Sequence, residues 1–107
     1  MIHAVYHRQY HRLTVEGHAQ SGEPGHDLVC ASASILVYTL AASVQELGKQ
    51  GHATDLVLKL QEGQAEVACK PHHRLSAVVS MIFDAVCAGF TLLAHDYPNN
   101  IRYEVRG

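Results

Sequence analysis

Two segments with helical periodicity, Asp27 to Gly48 and about His72 to Ala94, are set among stretches that alternate at a period of two. This order restricts the fold more than any other feature. In the first helical segment Leu28, Ile35, Tyr38/Thr39, Ala42 and Leu47 recur at steps of three and four, and Gly48 and Gly51 end it. In the second, Leu75, Val78, Val79, Ile82, Val86, Phe90 and Leu93 make one stripe. Residues 2–7 and 10–19 read as strands joined through Arg8-Gln9-Tyr10, with Leu13, Val15 and Gly17 alternating against Thr14, Glu16 and His18. At 53–60, Leu56, Leu58 and Leu60 alternate with Val57, Lys59 and Gln61. Glu62-Gly63 marks a hairpin turn, and Ala65, Val67 and Cys69 carry the apolar face up to Pro71. After the turn Tyr97-Pro98-Asn99-Asn100, residues Ile101, Tyr103 and Val105 alternate as a last strand. The order ββαββαβ predicts an α+β fold, two-layer or sandwich-like, with two helices packed on a mostly antiparallel or mixed sheet.

At 107 residues the chain fits one domain, 1–107. A hydrophobic fraction of 48% against 17% charged residues leaves few charges for a small surface, so part of the apolar area is expected to be covered by a partner. The formal net charge of -2 supplies no basic field for direct nucleic-acid binding. Met1-Ile2-His3 leads straight into a strand pattern, without the basic and apolar regions of a signal peptide. No run approaches the ~20 consecutive apolar residues of a membrane span. Cys30, Cys69 and Cys87 are odd in number and form no CxxC, which points to reduced thiols and a cytoplasmic location.

The chemistry concentrates between Gly17 and Ala31. A strand ends near His18. A loop, 20–26, carries Gly22, Pro24, Gly25 and His26. Asp27 then stands at the N-cap position of a helix whose first turn holds Cys30. A helix start favours negative charge, so a thiol there ionises more readily than a free one, and a neighbouring imidazole strengthens the effect. Backbone N–H groups at the same place suit an oxyanion. Each residue also has a plainer role. Cys30 fits a small buried apolar position, His18 a surface position, and Asp27 a cap. Asp27 either caps only or also orients His18, and His26 is the alternative base. This pairing needs no metal and no cofactor.

The nine histidines invite a metal-site reading. His3, His7 and His11 have helical ligand spacing, but they fall in strand and turn, and His72-His73 sits at a solvent-facing helix start. Cys69 and Cys87 read as core residues.

Gly17-His18-Ala19, a loop, then Gly25-His26-Asp27-Leu28-Val29-Cys30-Ala31 and Ser34 resemble the pattern of the bacterial ribosomal-processing cysteine protease (Prp) family, with Leu28 where the family has isoleucine. The resemblance implies His18 and Cys30 as the catalytic pair, Asp27 as a helper, and a homodimer. The implied substrate is the short N-terminal extension of a large-subunit ribosomal protein. It favours a loop 20–26 that closes over the substrate peptide, with Gly22, Gly25 and His26 in contact with it. The competing reading is a non-catalytic ribosome-assembly or partner-binding module, which would use the apolar helix faces and tolerate replacement of Cys30.

Overall fold

The computed structural model describes residues 1–17 and 26–107, with His26 and Asp27 described by their backbone. Strand β1 (Ile2–His7) leads through a 3-10 turn, Arg8–Tyr10, into β2 (Arg12–Glu16). Helix α1 (His26–Lys49) follows, then β3 (Ala53–Gln61) and β4 (Gln64–Pro71). A second 3-10 turn, His73–Leu75, opens onto α2 (Ser76–Asp96), and β5 (Ile101–Arg106) ends the order. The five strands form one sheet in the order β3-β4-β2-β1-β5. All neighbours are antiparallel except β1 and β5, which run parallel with Ile2 opposite Ile101. The fold is therefore α+β with a mixed sheet.

Period-two alternation divides the sheet into two unlike faces. Ile2, Ala4 and Tyr6 of β1 join Leu13, Val67, Cys69 and Ile101 in the core beneath the helices. The opposite face carries charge: Arg12 pairs with Glu66 at 3.0 Å, and Glu104 takes bonds from Arg106 at 2.8 Å and His3 at 2.9 Å. Arg106 is the main cause of the lowered Glu104 pKa. Val29, Ala33, Val37, Leu40, Ala41 and Val44 line the buried side of α1, and Val79, Phe83, Cys87 and Phe90 that of α2. Tyr6 stacks on Phe83 with ring centroids 5.6 Å apart, and Phe90 stacks on Tyr103 at 5.9 Å.

Several expectations need correction. The second strand starts at Arg12 rather than at residue 10, because Arg8–Tyr10 forms the 3-10 turn and His11 turns the chain with φ 47, and the expected end at 18–19 lies outside the described residues. Most of the stripe expected on α1 is not its core face: Leu28, Ile35 and Tyr38 are exposed, the buried residues stand one position away or more, and of the stripe Leu47 packs against the core. Val78 of α2 is likewise exposed. Both helices are long and apolar enough to cross a membrane by length and composition alone, with mean hydropathy of 1.7 over an 18-residue stretch within Leu28–Lys49 and 2.0 over one within His73–Asp96. Counting consecutive apolar residues missed this, because serine, threonine, glycine and a single internal acid, Glu46 in α1 and Asp84 in α2, interrupt the runs. Both helices nevertheless contribute one face each to the core that covers the sheet. Finally, α1 begins at His26, so His26 belongs to the helix rather than the loop, and Asp27 is its second residue instead of the residue before it.

Candidate active site

Gly17 is the pivot of the site. It follows β2 with φ +123, a conformation that side chains with a Cβ rarely adopt. A Cβ there would overlap the carbonyl oxygen of Met1 and stand 2.9 Å from the Cα of Ile2. Its N–H donates to the Gly63 carbonyl at 3.1 Å. Gly17 is thus wedged between the start of β1 and the turn of the β3–β4 hairpin, which fixes the point at which the chain leaves the sheet.

A cavity of about 390 Å³ opens at this point. Gly17, Val15 and Ile2 form one wall, the hairpin from Leu60 to Ala65 another, and Cys30, Ala33, Ser34, Val37 and Tyr38 of α1 the third. Cys30 is half-buried and packs against the edge of the core. Ser34 lies four residues along α1, on the same side of the helix. Glu62 is the one carboxylate among the lining residues described, and no lysine or arginine stands among them. Among the described residues the lining is therefore largely uncharged and partly apolar.

The other two cysteines are chemically quiet. Cys69 and Cys87 are buried as expected, and burial pushes both thiols up to about 11. Neither presents a thiolate at neutral pH. His18, Gly22 and Gly25 lie outside the described residues, as do the side chains of His26 and Asp27, and with them the expected loop 20–26 except for the backbone of His26. Gly17, the residue before His18, shares its cavity with Cys30.

The histidines expected to be structural or exposed are so. His72 and His73 stand exposed, and the ring of His72 accepts a bond from the Arg74 N–H. His3 and His7 lie on β1 rather than on a helix. Among the described residues no group of three or more His, Cys, Asp or Glu side chains is arranged to hold a metal ion. The sequence did not reveal the role of His11. This ring is buried, its Nε2 lies 2.8 Å from Ser80 Oγ, and it meets Phe83 edge-on. It ties the 3-10 turn to α2, far along the chain, so local pattern gives no signal of it.

The fold recurs in solved structures. The S. aureus ribosomal processing protease Prp in complex with a substrate peptide superimposes with a TM-score of 0.72 at 20% identity, over 99% of this chain and 100% of that one. The S. aureus enzyme with a covalently linked product peptide gives 0.70 at 19%, over 98% and 97%. SMU.848 from Streptococcus mutans gives 0.67 at 24%, over 98% and 91%. At these identities the likeness establishes the fold. No protein of curated function matches the chain. The sequence model of the cysteine protease Prp family matches residues 1–102, and the chain belongs to that family.

Proposed function

We propose that this protein is a cysteine endopeptidase, one domain over residues 1–107, that removes the short N-terminal extension of a large-subunit ribosomal protein in the cytoplasm. The observation that carries the reading is the shared cavity of Gly17 and Cys30, since His18 is bonded directly to Gly17. With family membership, it supports Cys30 as nucleophile and His18 as base.

In this mechanism His18 takes the Cys30 proton. The sulfur attacks the scissile carbonyl, and backbone N–H groups at the α1 start hold the oxyanion. On collapse of the tetrahedral adduct the C–N bond breaks, His18 gives its proton to the leaving amine, and a thioester remains. Water, activated by His18, hydrolyses the thioester and frees the thiol. Asp27, in the first turn of α1, is the supporting group, and the segment with Gly22, Gly25 and His26 contacts the substrate. No metal or cofactor takes part, and neither nucleic acid nor membrane is a direct partner.

The protein acts as a homodimer. Val78, Met81 and Leu92 of α2 and Leu28 and Ile35 of α1 are all exposed, at heptad-like spacings that suit helix-on-helix burial. The deciding experiment mixes the purified protein with the extended ribosomal protein from the same genome and reads the new N-terminus by mass spectrometry. Cleavage by the wild type and none by a folded Cys30→Ala variant is expected. Cleavage that persists in Cys30→Ala rejects the nucleophile, and an intact substrate with the wild type rejects the activity.

A further inference from the structure

Among the described residues no strand pairs with the edge of the sheet nearest the cavity. Strand β3 is terminal in the sheet, and its leucines Leu56, Leu58 and Leu60 point to the helix side, yet they remain 37%, 36% and 44% exposed. Leu60 also lines the cavity that holds Cys30, beside Tyr38 of α1. The groove between α1 and the β3 edge is thus continuous with the candidate active site.

The hairpin register fixes which backbone groups are available there. Gln61 faces Gln64 across a two-residue turn, Lys59 faces Glu66, and Val57 faces Ala68. Residues that flank a two-residue turn exchange the paired bonds, and the pattern repeats every second residue. Gln61, Lys59 and Val57 therefore bond to β4, while Leu60 and Leu58 turn their N–H and C=O groups to the free edge. Strand edges usually carry proline, short length or inward charge to prevent pairing. From Val57 to Gln61 the edge has no proline, and its one charge, Lys59, projects to the opposite face and leaves the leucine side apolar. Beyond it the bulge between Thr54 and Val57, with Asp55 at φ 53, ends the regular edge.

We propose that the extension peptide binds as a sixth strand on the β3 edge, pairing with the backbone of Leu58 and Leu60 and setting alternate apolar side chains against Leu58, Leu60 and Tyr38. This rests on the protease reading and names how that site recognises its substrate. The occupant is the extension side of the cut. A short extension without its own fold has unpaired amides to offer, whereas the mature side continues into a folded protein. At about 3.4 Å per residue the edge from Val57 to Gln61 accommodates roughly four to five peptide residues. Selectivity then comes from an extended peptide with bulky apolar residues at every second position.

The test uses backbone amide exchange by NMR on the Cys30→Ser protein, with and without a synthetic peptide spanning the encoded extension and the first residues after the cut. Saturating peptide slows exchange at Leu58 and Leu60 at least tenfold and leaves Lys59 and Gln61, already paired, unchanged. In the wild-type background Leu58→Ser raises KM roughly tenfold with kcat nearly unchanged, because Leu58 lies outside the cavity that holds Cys30, and Lys59→Ala alters neither. Saturable binding without added protection at Leu58 and Leu60 overturns strand addition and leaves the protease reading standing. Failure of the wild type to bind or cut the peptide overturns both.

Discussion

Replacing Gly17 by alanine tests the wedge on which the site is built. Two costs add. A residue with a Cβ held in a sparsely populated backbone region loses about 1–3 kcal/mol. The new methyl also meets backbone atoms, the Met1 carbonyl and the Ile2 Cα, which cannot rotate away as a side chain would. A loss of about 3 kcal/mol is expected, a large share of the ~5–15 kcal/mol of a small domain. With a urea m-value of about 1.5 kcal/mol/M the midpoint falls by roughly 2 M, and the melting temperature by about 12 °C. Gly51→Ala is the internal control. Gly51 has φ +75 but nothing within 4 Å of its missing Cβ, so only the backbone cost applies, about 1 kcal/mol. Equilibrium urea unfolding of the three proteins separates the terms. Peptide cleavage at 20 °C, where Gly17→Ala is still folded, should fall well beyond the unfolded fraction, because the displaced chain carries His18. Equal midpoints for Gly17→Ala and Gly51→Ala would falsify the wedge.

Further expectations follow from the same packing and chemistry. With an alkylating reagent at pH 7 a single thiol, Cys30, reacts in the folded protein, and Cys69 and Cys87 follow only on unfolding; peptide mapping that finds either of them labelled first contradicts their burial. His18→Ala abolishes turnover and slows Cys30 alkylation near neutral pH, whereas unchanged alkylation kinetics would mean that the imidazole does not touch the thiol. Phe83→Ala removes the ring shared by Tyr6 and His11 and costs about 3–5 kcal/mol in urea unfolding; a loss below ~1 kcal/mol would show that the centre of the core lies elsewhere. Burial raises Cys69 and Cys87 from 9.0 to about 11 and Tyr6 from 10.0 to about 12. The unfolded chain therefore loses these protons first, so stability is full below pH 9 and declines between pH 9 and 12. A flat denaturant midpoint across that range would refute it.

Periodicity made the element order readable, because a half-buried strand or helix writes its burial into the spacing of its side chains. Partners are not written that way. Nothing near Ile2 indicates that it faces Ile101 in a parallel pair, and nothing near His11 indicates Ser80. The α1 stripe shows a related limit. Leu28, Ile35 and Tyr38 are as apolar as Val29, Val37 and Leu40, so two faces of one helix carry helical periodicity, and only the position of the sheet decides which is core. The leucines of β3 alternate as expected but stay partly exposed, because edge position is a property of the sheet and not of the strand. At the site, Cys30 was legible from its place in a helix start. The role of Gly17 was not, since a glycine at the end of a strand pattern does not disclose which atoms crowd it.

The parallel pairing of β1 with β5 also bears on when the protein becomes active during synthesis. Ile2 forms part of the cavity wall and, with Met1, of the wedge against Gly17, but one flank of its strand is held by residues 101–106. Residues 101–106 are synthesised well after Cys30, so a growing chain carries Cys30 long before β1 has both its neighbours. The cavity wall is completed only when the far end of the sequence closes the sheet. Non-local closure of this kind is slow relative to local helix formation. The topology thereby acts as a delay: a growing chain has Cys30 but not yet the finished wall of the cavity beside it.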